Sequence, residues 1–185
     1  RDWSSDVCSS DLLRGLKTIS SSVAAALAGH KGELHLAGLT SISPEAAENL
    51  AKNEGYLSLG GLKTLSPAAA EALARHEGFL GLNGLTDISR PVAEKLATHK
   101  GSLSLNGLTS ISPEVAETLA KHPDWLSLNG LTGISPAVAA ALANHEGRLH
   151  LHGLATFSAE VAEALAKHKG SLSLQGLTNL AEPAR

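Results

Sequence analysis

Leucine occurs in pairs separated by one residue: Leu34 and Leu36, Leu57 and Leu59, Leu80 and Leu82, Leu103 and Leu105, Leu126 and Leu128, Leu149 and Leu151, Leu172 and Leu174. The interval from Leu34 to Leu57 is repeated without change down to Leu172, with no insertion or deletion between pairs. Within a pair the period is two, so both side chains point to one face of a short strand. Taking the first leucine of each pair as position 1, Gly stands at position 5 in every copy, from Gly15 to Gly176. A glycine fixed at one slot predicts a turn with positive φ that ends the strand. Leu at position 6, then Ile, Leu or Phe at position 9, return the chain to the core.

Ser occupies position 10 at Ser20, Ser43, Ser66, Ser89, Ser112, Ser135 and Ser158, and Pro follows at Pro44, Pro67, Pro113 and Pro136. Ser then Pro is a helix start. The hydroxyl accepts from an early backbone N–H, and Pro gives up a donor that has no partner there. Pro91 is displaced by one behind Arg90, and Ala159 replaces the Pro in another copy. Apolar residues continue at positions 13, 14, 17 and 18, as in Val115, Ala116, Leu119 and Ala120. That spacing predicts a single apolar stripe on a helix of about ten residues. Gly55, Gly78, Gly101, Gly147 and Gly170 stand where a C′ glycine would close it. So short a helix is not stable alone. One unit cannot offset the entropy of ordering itself, but stacked units share a continuous core.

A strand, a crossover helix and a parallel strand in each unit wind a right-handed coil. The period lies within the range of leucine-rich repeats and well below that of helical-pair repeats. The pattern Leu-x-Leu-x-Gly-Leu-Thr-x-Ile-Ser…Ala-x-x-Leu-Ala, over about residues 13–180, resembles leucine-rich repeats. The nearest variants are those with a helical convex side. The resemblance implies an α/β right-handed solenoid with a parallel concave β-sheet and short convex helices. One departure stands out. The family's Asn or Cys after the strand falls here on Leu39, Leu62, Leu85, Leu108, Leu131, Leu154 and Leu177. A leucine layer is expected in place of an internal Asn ladder. Asn83, Asn106 and Asn129, two slots earlier, are expected to face solvent.

Aromatic residues are only 3 % of the chain against 43 % hydrophobic, so Leu and Ala build the core. The formal charge is −3, without the clustered Lys and Arg that a nucleic-acid surface needs. No apolar run approaches membrane-spanning length, and no signal peptide is visible. Residues 2–12 break the pattern and look like the translation of a sequencing-adapter oligonucleotide, so residues 1–12 are set aside as non-native. Cys8 and Trp3 go with them, which leaves no cysteine for a disulfide or metal site and leaves Trp125 as the sole tryptophan. Residues 13–185 then form one solenoid: a partial N-terminal repeat, six full repeats and a truncated C-terminal one. With no start Met and no obvious polar cap at either end, the chain is expected to be a fragment of a longer array.

Position 20 is His at His30, His76, His99, His122, His145 and His168, with Asn53 in the remaining copy. The residue would sit in the last helical turn. There an imidazole can bond free helix carbonyls and suits the helix dipole, and Asn can do the first of these. Helices stack about 8–10 Å apart, which disfavours neighbouring imidazoles sharing an ion. No metal or other cofactor is expected. Position 0, just before the first leucine, reads Glu33, Tyr56, Phe79, Ser102, Trp125, Arg148 and Ser171. Either these side chains stand exposed on the concave sheet, or they lean over its edge onto the preceding loop. His150 and His152 share a strand with Arg148 and, by period two, its solvent face; His35 is five strands away. The resulting expectation is a non-enzymatic scaffold that binds a protein or peptide on the concave face. Its binding residues would be Tyr56, Phe79, Trp125, Arg148, His150 and His152. The alternative is a structural spacer or self-associating module of a larger protein. Ser-rich slots recur for capping reasons, and no catalytic motif interrupts the array.

Overall fold

The computed structural model describes residues 15–177. The adapter-like segment and the final residues, 178–185, lie outside the described part. Strands β1 (Leu34–His35), β2 (Leu57–Ser58), β3 (Leu80–Gly81), β4 (Leu103–Ser104), β5 (Leu126–Ser127), β6 (Leu149–His150) and β7 (Leu172–Ser173) form one parallel sheet in sequence order. Its register pairs each leucine with its counterpart in the next repeat, as in Leu34 with Leu57 and Leu57 with Leu80. Helix α1 (Ser21–Ala28) precedes β1. Helices α2 (Pro44–Leu50), α3 (Pro67–Leu73), α4 (Arg90–Leu96), α5 (Pro113–Leu119), α6 (Pro136–Leu142) and α7 (Ala159–Leu165) alternate with the strands, each packing on the next.

Between sheet and helices runs a single core. The paired leucines from Leu34 to Leu151, the position-6 leucines from Leu39 to Leu154, and helix residues such as Ala46, Ala47 and Leu50 are shut off from solvent. The leucine layer expected in place of an internal Asn ladder is therefore present. Serine caps the helices: Ser43 Oγ accepts from Ala46 N at 3.2 Å and Ser135 Oγ from Val138 N at 3.2 Å. Ser89 and Ser158, where the Ser-Pro pair is broken, make no such bond. The helices are shorter than predicted, seven residues from α2 onward. Ala51 and its counterparts close them in the right-handed helical region, and bonds such as Asn53 N to Leu50 O tighten the exit. The chain must turn back early to reach the next strand within one repeat.

Both glycine columns have a different cause from the one expected. Gly32 is the sole described glycine with positive φ, at 134°. The position-5 glycines are needed because the preceding repeat leaves no room for a Cβ. One added at Gly61, Gly84, Gly107, Gly130 or Gly153 would lie within 3.0 Å of two backbone carbonyl oxygens of the row before. Gly55, Gly78, Gly101, Gly147 and Gly170 do not cap helices either. They meet the preceding row's backbone in the same way. Asp124 fills the slot in one row, so that second column tolerates an exception where the first has none.

The position-20 column also differs from expectation. His76, His99, His122 and His145 are buried, and their rings follow one another at centroid spacings of 6.0–6.2 Å, closer than helix axes approach. The partners are not the helix's own carbonyls. Nε2 of His76 lies 3.0 Å from Gly55 O, and Nε2 of His99 lies 3.1 Å from Gly78 O, each donating to the loop of the repeat before. Asn53 makes the same link, from Nδ2 to His30 O at 2.7 Å. These three residues join successive loops; further along the column, Nε2 of His122 and both ring nitrogens of His145 and His168 are shielded from solvent without a hydrogen-bond partner. Burial pushes the His99, His122 and His145 imidazoles below their usual range, His122 to about 4, and the charge of neighbouring imidazoles adds to it.

Packing this close has measurable consequences. Gly107→Ala forces its Cβ onto Asn83 O and Leu85 O, whereas a Cβ at Gly133 meets nothing within 4 Å. We expect Gly107→Ala to cost about 2 kcal/mol or more in urea unfolding and Gly133→Ala to cost nothing. Equal effects would show that the rows do not stack this closely. The histidine ladder sets the pH dependence. The His99, His122 and His145 pKa values are lowered on folding, so the unfolded chain takes up protons first at these positions as pH falls. The stability that comes from neutral imidazoles is complete above 6.5 and is lost below it, for His122 down to about 4. His122 alone accounts for roughly 3 kcal/mol over that window. His122→Asn, which copies Asn53, is expected to flatten the fall of the unfolding free energy between pH 7 and 5. An unchanged slope would mean the imidazole is hydrated.

Candidate functional site

The open face of the sheet carries positions 0, 2 and 4. Position 0 is held in the ladder through its carbonyl: Leu34 N donates to Tyr56 O at 2.7 Å, Leu57 N to Phe79 O at 2.9 Å and Leu103 N to Trp125 O at 2.8 Å. These aromatic residues therefore start from rigid backbone. Their side chains are half-buried, so neither sequence expectation describes them fully. They cover one another along the face instead of standing free in water.

The rings make one continuous row. His35 lies 5.1 Å from Tyr56, which stacks on Phe79 at 4.3 Å with planes 3° apart. Phe79 approaches Trp125 at 5.8 Å, Trp125 meets the edge of His150 at 5.1 Å, and His150 stacks on His152 at 4.9 Å. Phe79 and Trp125 are two strands apart, roughly 10 Å along the sheet. Their contact exists because Ser102, small and between them, lets the indole lean across β4. Offset and edge-to-face pairs of this kind are each worth about 0.5–1.5 kcal/mol beyond buried area. The Phe79 ring also leans over Gly81, where a Cβ would stand 3.1 Å from it. Trp125 Nε1 is shielded from solvent without a hydrogen-bond partner.

A polar ladder borders the row. Asn83 Oδ1 accepts from Ser104 Oγ at 2.7 Å and from Asn106 N at 3.0 Å. Asn106 Oδ1 repeats this with Ser127 Oγ at 2.8 Å and Asn129 N at 2.8 Å, and Asn129 Oδ1 accepts from His152 N at 2.9 Å. The expectation that these asparagines simply face solvent is corrected: each ties its row to the next. The family's usual slot holds leucine, and the ladder forms two residues earlier. Its signal in the sequence was the pair of Ser and Asn columns at positions 2 and 4. The last rung is His152, whose Nε2 lies 2.8 Å from Ser173 Oγ.

Of the six residues singled out in sequence, five fall in the ring row, and His35 joins them at the other end. Arg148 stands exposed at position 0 of the β6 row. Burial holds the His150 imidazole below its ordinary range, and the charges of His152 and Arg148 push it lower. At the far end Glu33 Oε2 pairs with His35 Nε2 at 3.1 Å. Among the described residues no three His, Cys, Asp or Glu side chains gather as a metal would require, and no helix is long and apolar enough to cross a membrane. We expect Asn106→Ala, which leaves the Ser127 hydroxyl and Asn129 N–H without an acceptor, to cost about 1–3 kcal/mol. Asn106→Asp, which keeps an acceptor oxygen, should cost less; equal losses in chemical unfolding would show that the rung is hydrated.

No protein-family model matches the chain, and no curated protein sequence does. Among solved structures, a leucine-rich-repeat protein of Leptospira interrogans aligns over 90 % of the chain at 25 % identity, with a TM-score of 0.51. The chain spans 42 % of that protein's length. An internalin from Listeria monocytogenes aligns over 84 % of the chain and 69 % of its own, at 15 % identity and a TM-score of 0.33.

Proposed function

We propose that this leucine-rich-repeat solenoid is a non-enzymatic scaffold that binds a protein or peptide segment on its concave sheet. The observation that carries the reading is the unbroken row of rings from His35 to His152 on a face otherwise built largely of Ser, Asn and Gly. Aromatic side chains on rigid backbone give contact area at low entropic cost, which is how binding surfaces obtain most of their affinity. The half-buried rings are pre-organised by stacking, so little order is left to impose on binding. Repeat architectures present extended surfaces of this type, and the leucine-rich-repeat likeness agrees with an interaction scaffold.

The reading is tested by panning a displayed peptide library on the immobilised chain. Enriched peptides are then measured against wild type, Trp125→Ala, Phe79→Ala and the helix-side variant Glu94→Ala. Circular dichroism confirms that each variant is folded. We expect a loss of about tenfold or more for Trp125→Ala and Phe79→Ala, the size of a buried aromatic anchor, and no change for Glu94→Ala. Peptides indifferent to both aromatic substitutions would move the binding face elsewhere.

A further inference from the structure

The open face carries charge only at its two ends, and the two ends differ. Positions 0, 2 and 4 of the rows from β1 to β7 contain one carboxylate, Glu33, and one permanent cation, Arg148. Glu33 is already paired with His35. No ion pair among the described residues includes Arg148. Beside it on the face stand two imidazoles, His150 and His152. His150 replaces the serine found in neighbouring rows; its backbone carbonyl accepts from Leu128 N, but its imidazole makes no hydrogen bond among the described residues and packs instead on Trp125 and His152. The Asn-Ser ladder stops at this row, because Asn129 Oδ1 finds only the His152 N–H and no hydroxyl. An exposed guanidinium and an unpaired imidazole thus stand next to the indole, with no carboxylate near them on the face.

Resting on the scaffold reading above, we propose that the β6 row receives an Asp or Glu side chain of an extended peptide segment lying along the solenoid axis. Arg148 takes the carboxylate, and His150 lies beside it. An apolar side chain of the same segment rests on the ring edges of Phe79 and Trp125. The geometry sets the spacing. The gap over Ser102 lies two strands from β6, roughly 10 Å. An extended chain covers that in about three residues. A guanidinium recognises carboxylate with two parallel hydrogen bonds, and the low polarity of the adjoining rings strengthens them. A phosphate polymer is disfavoured, because the face offers one permanent cation where a polyanion needs a series. A flat sugar is disfavoured as well: the ring faces are taken up by their neighbours, as Tyr56 and Phe79 show, and mainly edges are presented.

The test uses the full chain labelled with fluorescein at Cys8, its only cysteine. The probe is an array of acetylated, amidated nonapeptides with a Ser/Gly background. Each carries one Leu or Tyr and, one to five residues away, one Glu, Gln or Lys. We expect Glu peptides to be retained about tenfold better than their Gln counterparts, best at a spacing near three, with Lys peptides weakest. Arg148→Gln should reduce Glu retention to the Gln level, and Arg148→Lys should restore part of it. Equal retention of Glu and Gln peptides, still lost in Trp125→Ala, overturns the carboxylate site and leaves the scaffold reading standing. Retention of no peptide, or retention indifferent to Trp125→Ala, overturns both. Displacement of the Glu peptides by an eight-nucleotide oligothymidylate at lower concentration than by free Glu peptide overturns the proposal in favour of a phosphate-bearing partner.

Discussion

Everything in this solenoid follows from the distance between parallel strands. Rows about 4.8 Å apart leave no space for a side chain between their backbones. Each slot must therefore suit its own counterpart one repeat away. The position-5 glycines express the constraint in its strictest form, since a Cβ there would enter the preceding row's carbonyls. The invariant interval between repeats expresses it along the chain. An insertion in one repeat would misalign every column at once.

A column of identical neighbours solves the packing of leucine easily and that of polar groups only with care. Buried polar atoms must find partners, and in a stack the partner is one row up or down. The chain meets this demand in two places, though on the helix side ring nitrogens of His122, His145 and His168 are left without a partner. On the helix side, Asn53, His76 and His99 reach the loop carbonyls of the row before. On the open face, Asn83 and Asn106 bridge to the next Ser and the next N–H. On the helix side, burial favours the neutral imidazole at His99, His122 and His145. The open-face ladder lies at the surface and ties successive rows together beside the aromatic row. The same rule gives the open face its character: where a row departs from Ser and Asn, as at β6, a side chain is released from the ladder.

The row of rings illustrates how a repeat acquires a site without an inserted loop. On the open face, position 0 and a few position-2 and position-4 slots vary, because they point away from the core. Aromatic residues placed there line up along the sheet. Tyr56 on Phe79 is the direct result. Trp125 reaching over Ser102 is the less obvious one, and it depends on a serine in the intervening row as much as on the tryptophan.

The repeat, the strand and helix order, the serine caps and the inward leucines were all legible in the chain, because each rests on local periodicity and on side-chain chemistry that neighbouring residues settle. The choice of residues for the open face was legible too, since period two assigns a side without reference to anything distant. What required the folded molecule were the contacts between rows. Gly107 and its counterparts do lie in the turn after the strand, but they read as positive-φ glycines until Asn83 O is placed beside them. The histidine column read as helix-terminal until the loop of the previous repeat closed over it. The asparagines read as solvent-facing until the next Ser came within hydrogen-bonding reach. Whether the position-0 aromatics stand free or pack was likewise undecidable one repeat at a time. The reason is common to all four. A linear reading sees a residue's neighbours within its own repeat, whereas in a solenoid much of each residue's surroundings belongs to the repeats on either side.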